Sequence, residues 1–161
     1  MMTILDQQGN SVQIYATERD GFVDTCIRAT DRATWVQAAL SQNLLYQEPI
    51  YEKDQNTGEA TIVGYNDEIK ASAGANISEI GPAVISTAVV DSRFHLNMRI
   101  AEPLLSKVDA SGYPLWKATA LLWMNVGQDV TQVNNQETAK VVSGVEMIDP
   151  DSIVNPDRVW F

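Results

Sequence analysis

A histidine that moves protons needs a nucleophile or substrate beside it and, as a rule, a carboxylate that orients the ring. His95 is the single histidine of this chain, so neither a two-histidine metal centre nor a histidine relay can form. It lies in FHLNMRI, residues 94–100. There Phe94, Leu96, Met98 and Ile100 alternate with His95, Asn97 and Arg99, which is the period of a half-buried strand. The alternation puts His95 on the polar side. A surface or interface histidine is the direct reading, and a small enzyme using His95 is the alternative to weigh against it. Cys26 is also single. A disulfide within the chain is therefore impossible, which fits a reducing cytosol. In VDTCIRA, between Val23 and Ile27, it reads as a packed small hydrophobe.

The carboxylates offer little more. Asp149, Asp151 and Asp157 sit around two prolines, but the ordered oxygen series of a calcium loop, with its central glycine and final glutamate, is missing. Nothing among the 21 acids singles out a glycosidase pair. Phosphate-binding loops, dinucleotide fingerprints, nucleophile elbows and paired C-x-x-C spacings do not occur. No catalytic residue, metal ligand or cofactor is assigned on these grounds, and the expectation is a protein that is not an enzyme. Trp35, Trp116 and Trp123 fall in apolar periodic segments and belong to a core. Trp160 and Tyr65 are the aromatics placed for exposed contact, which keeps a carbohydrate- or receptor-binding β module open as an alternative.

The 161 residues are 45% apolar and suit one domain, 1–161. The net charge is −10, and the 11 basic residues are scattered. Binding to nucleic acid needs clustered cations against the phosphates, so neither nucleic acid nor an anionic membrane is expected as a partner. No apolar run reaches the length of a membrane span. The start, MMTILDQQGN, lacks the basic and apolar regions of a signal peptide.

These side chains must be positioned by an α+β, mainly β fold. The expected core is an antiparallel sheet, sandwich or barrel-like, with one or two short helices packed on it. Residues 3–5 and 11–15 flank Asp6–Asn10 as a first hairpin, and residues 22–28 form a further strand. Asp31 can cap a helix over about 32–45, with Trp35, Val36, Ala39, Leu40 and Leu44 at helical spacing. Residues 50–53 and 60–63 flank turn formers as a second hairpin. Residues 64–80 are polar and small and read as an exposed loop, long enough to suggest that it contacts something. Runs 83–90 and 94–100 are core strands, separated by Asp91, Ser92 and Arg93. Residues 109–112 form a type I turn. Residues 115–126 could be a helix aligning Trp116, Ala120 and Trp123, or a strand, which the preceding turn favours. Asn134 with Glu137 suggests a short helix closing at Gly144, and 145–148 is a brief apolar run.

The second half of the chain resembles small virion proteins of tailed bacteriophages and prophages. The resemblance lies in the strand FHLNMRI, the turn DASGYPLW and the tail GVEMIDPDSIVNPDRVWF. It implies a structural subunit of a tail, neck or capsid, packed with other virion proteins and with copies of itself as a homo-oligomer. Its location would be the virion, after assembly in the host cytoplasm. Within that reading the interface residues are Tyr65, Asn66 and Asp67 of the 64–80 loop, with Arg158, Val159, Trp160 and Phe161 of a docking tail, 155–161. Two terminal aromatics are costly to leave in water, and an apolar anchor with a polar surround is how interfaces concentrate their energy.

Overall fold

The computed structural model describes residues 1–86, 89–124, 130–133, 136–139 and 144–152. Among the described residues the fold is mainly β with two helices, α+β as expected, and its sheets are antiparallel and do not close into a barrel. The chain opens with the hairpin β1 (Met2–Leu5) and β2 (Ser11–Ile14). The Asp6 carboxylate holds its turn by accepting from the Gln8 and Asn10 N–H groups.

The main sheet is built on β4 (Phe22–Ala29) and β8 (Val89–Ile100), paired from Val23 opposite Ile100 to Ala29 opposite Phe94. On its far side β8 pairs with β7 (Ala75–Ser86). The other edge of β4 is shared end to end by two strands. β3 (Ala16–Arg19) covers residues 22–25, and β11 (Val145–Ile148) covers residues 26–29. Run 83–90, read as one strand, is the end of β7 and the start of β8, and Asp91, Ser92 and Arg93 lie inside β8.

One face of this sheet meets both helices. Val23, Ile27, Leu96, Met98, Ile100, Val145 and Met147 are buried there with helical side chains. Helix α1 (Arg32–Ser41) starts where expected. Asp31 is extended, and its carboxylate accepts from the Thr34 N–H at 2.7 Å. The helix stops at Ser41 rather than at residue 45, because Asn43 takes a left-handed φ of 59° and turns the chain. Leu44, which extended the helical stripe, is buried beyond that turn.

Residues 115–124 are helix α2 (Leu115–Met124), which corrects the strand favoured from sequence. Trp116, Thr119, Ala120 and Trp123 are its buried residues. That i, i+3, i+4, i+7 stripe is the helical alternative, and burying it outweighs the turn that precedes it. Trp123 packs on Trp35 with ring centroids 5.8 Å apart. The expected helix after Asn134 is also corrected. Gln136–Ala139 is strand β10, paired with β9 (Val130–Val133), whose β-branched residues favour a ladder. Asn134 itself lies outside the described residues.

The loop expected over 64–80 is mostly strand. It comprises the end of β6 (Ala60–Ala71), a short turn through Gly74, and the start of β7. Small polar residues suggest a loop when exposed residues are assumed to be unpaired. Here β6 is exposed and still laddered to β5 (Leu45–Lys53) along its length, with bulges at residues 63 and 66–68.

A polar sheet face and a projecting arm

Alternation along β4 and β8 places Asp24, Cys26 and Arg28 beside Arg99, Asn97 and His95 on the second face of the sheet. Both faces of these strands are buried here: Asp24, Cys26, His95 and Asn97 are fully enclosed. His95 is therefore no surface histidine, contrary to the alternation rule, which assumes that one face meets water. Its Nδ1 lies 3.0 Å from the Gly81 carbonyl and 2.9 Å from that of Arg93. Two acceptors on one nitrogen require that Nδ1 carries the proton. Among the described residues Nε2 has no hydrogen-bond partner, and it lies 3.7 Å from Asp91. With Nδ1 committed to backbone carbonyls, the ring is held as a structural post.

Around it, Arg28, Asp91, Arg93 and Glu146 form a network. Asp91 lies 3.3 Å from Arg28 and 2.7 Å from Arg93, and Glu146 pairs with both arginines. The Arg93 guanidinium holds the Asp91 carboxyl well below the usual carboxylate range, and Asp91 in turn raises Arg93. At the other end of the face, Arg99 grips Asp24 through two bonds of 2.7 and 3.0 Å, which raises the Arg99 guanidinium. Two arginines against two carboxylates leave the four-residue network without excess charge to attract an ion. Among the described residues, no three His, Cys, Asp or Glu side chains converge as metal ligands.

Set against known proteins, the chain matches no family model, no curated protein and no solved structure.

The other distinctive feature is the β5–β6 hairpin. It forms a separate two-stranded sheet, closed at its base by Leu45 opposite Ala71 and at its tip by the 54–59 turn. Tyr46, Ile50, Tyr51, Ile62, Val63, Tyr65 and Ile69 are all exposed along it. The register sorts its side chains by face. Gln47 opposes Ile69, Pro49 opposes Tyr65, Tyr51 opposes Ile62 and Lys53 opposes Ala60. Paired residues share a face, and so do every second residues of regular β5. One face thus carries Pro49, Tyr51, Ile62, Tyr65 and Ile69 with Gln47 and Lys53, and exposed Asp67 lies between Tyr65 and Ile69 on β6. The other carries Glu48, Glu52 and Lys70 together with exposed Tyr46 and Ile50, with Lys70 Nζ 3.0 Å from Glu48. At the base, a depression of about 380 Å³ is lined by Leu40, Asn43, Leu45, Tyr46, Gln47 and Tyr65.

Of the residues expected at an interface, Tyr65, Asn66 and Asp67 lie on β6 within this arm and are exposed. Arg158, Val159, Trp160 and Phe161 lie outside the described residues. Tyr51, Ile62 and Ile69, which build the apolar face with Tyr65, were not singled out from sequence. Their signal was present in the hairpin itself, once its register is extended past residue 63. No helix among the described residues is long and apolar enough to cross a membrane.

Proposed function

We propose that this protein is a non-enzymatic structural subunit of a macromolecular assembly, and that the β5–β6 arm is the part that grips its neighbour. The observation that carries this reading is the arm's apolar face. A lone two-stranded ribbon is marginal in water, and contiguous apolar surface on a soluble protein marks a contact site. The commitment of His95 to two carbonyls and the balanced charge of its network fit a scaffolding role for the polar face. A tailed-phage particle, as tail, neck or capsid component, is the assembly we propose, on the sequence resemblance alone.

Leu45 opposes Ala71, so residues 46–70 can be replaced by an Asn-Gly turn that closes the hairpin at its base. The trimmed chain is expected to fold, by circular dichroism and tryptophan fluorescence, and to be missing from the particle or complex that takes up the intact chain. Normal incorporation of the trimmed chain refutes the reading.

A further inference from the structure

We infer that the apolar face of the β5–β6 arm packs against the same face of a second copy of this chain, about a two-fold axis. The inference deepens the assembly reading and rests on it. Its first support is area. Tyr51, Ile62, Tyr65 and Ile69 are exposed by 61, 50, 58 and 40%. Taking fully exposed residues of this size at roughly 200 Å² each, the four present roughly 420 Å². Interfaces are about 57–65% apolar, so a patch built on these residues covers roughly 700 Å². A standard interface buries about 800 Å² per partner. A two-fold contact uses the same patch on both copies, so one arm face supplies both halves.

The second support is the distribution of charge. The chain is acidic overall, and most surfaces of one copy would repel another. On β5 the carboxylates are segregated: Glu48 and Glu52 alternate away from Pro49 and Tyr51. On β6, exposed Asp67 and Glu68 fall in the bulged stretch between Tyr65 and Ile69. Face-to-face packing therefore brings together aromatic and aliphatic side chains with Lys53 and Asp67 beside them, and no carboxylate of the β5 strand meets its counterpart. The net charge of −10 still opposes approach, so added salt should strengthen the dimer. A contact with a basic partner would respond in the opposite direction.

The test is sedimentation equilibrium on the full chain at low and high salt. The expected result is a monomer–dimer equilibrium that tightens with salt. Tyr51→Lys with Ile62→Lys should weaken it by about 30-fold or more, the scale of losing a central anchor. Ile50→Lys, on the other face, should leave it unchanged. To cover the case that the double variant disorders the arm, Ala60→Cys carries a spin label while buried Cys26 stays unlabelled. A label-to-label distance present only in the dimer supports the arrangement. A chain that stays monomeric to roughly 100 μM, or a dimer indifferent to the face variant, overturns it. A monomer whose trimmed form is still excluded from the particle would overturn the self-contact and spare the assembly reading. Normal uptake of the trimmed form would remove the assembly reading itself.

Discussion

Replacing Gly74 by alanine should be the most damaging single-methyl change in the turn from which β7 departs. Gly74 has φ +89°, a conformation L residues rarely adopt, and that alone costs about 1–3 kcal/mol. An added Cβ would also stand 2.4 Å from the Ala101 carbonyl oxygen, 2.7 Å from the Leu104 nitrogen and 2.8 Å from the Leu104 Cβ. Two of these neighbours are backbone and cannot rotate away. The Gly74 carbonyl accepts from the Ala101 N–H at 2.8 Å, so the shift that relieves the clash also loosens that bond. Strain and overpacking together come to about 2–6 kcal/mol. In a chain of 161 residues, each kcal/mol moves Tm by about 2–4 °C, so a fall of roughly 4 °C or more is expected. Gly81 supplies the control. Its φ is +79° and a Cβ there meets nothing within 4 Å, so Gly81→Ala should show only the lower end of the conformational cost, about 1 kcal/mol. Thermal unfolding followed by tryptophan fluorescence reads both variants. Equal shifts for the two would refute the claim that contact at Gly74, rather than φ alone, sets the cost.

Further outcomes follow from buried groups. Among the described residues both amide atoms of enclosed Asn97 lack partners, so Asn97→Leu should raise stability by about 1–3 kcal/mol in urea unfolding, and a loss would reveal a bond that the amide makes in solution. Trp123→Ala should cost about 3–5 kcal/mol through the cavity it leaves against Trp35. Trp123→Phe should cost much less, since the indole N–H it removes has no partner among the described residues. The carboxyl of Asp91 is depressed by Arg93, so its contribution is present above the ordinary carboxylate range and lost as pH falls through that range and below it. Asp91→Asn should therefore lower Tm at neutral pH and flatten the acid limb of a Tm-against-pH profile, whereas parallel profiles would show that Asp91 is not the group titrating.

Sequence patterns reported the parts of this fold whose side chains alternate between core and turn. The strand around Phe94, the Asp31 cap and the hairpin flanking residues 54–59 all carried local signals that agree with their packing. Residues 115–124 misled because the run is apolar nearly all round. Only the buried set Trp116, Thr119, Ala120 and Trp123 reveals its period, and that set becomes known when the neighbours are in place. Residues 64–80 misled for the opposite reason. β6 is laddered without a core of its own, so its exposed, mixed composition imitates a loop. Tyr65, Asn66 and Asp67 were legible as exposed residues, but the face that Tyr65 shares with Tyr51 and Ile62 depends on bulges that composition does not announce. His95 was misjudged because both faces of β4 and β8 are enclosed, and the Gly81 carbonyl that helps hold its ring belongs to β7, outside the strand that carries the alternation.

The shared edge of β4 has a consequence for how the protein is made. A ribosome delivers Ala16–Arg19 early enough to zip the first half of that edge beside its own hairpin partner. The second half must wait until Val145–Ile148 has been synthesised. Throughout that interval the backbone of Cys26–Ala29 is an open template on the nascent chain, and contacts this distant in sequence form slowly. Premature termination before residue 145 would thus release a molecule with a ready site for mispairing, and co-translational chaperones would have most to shield at that strand.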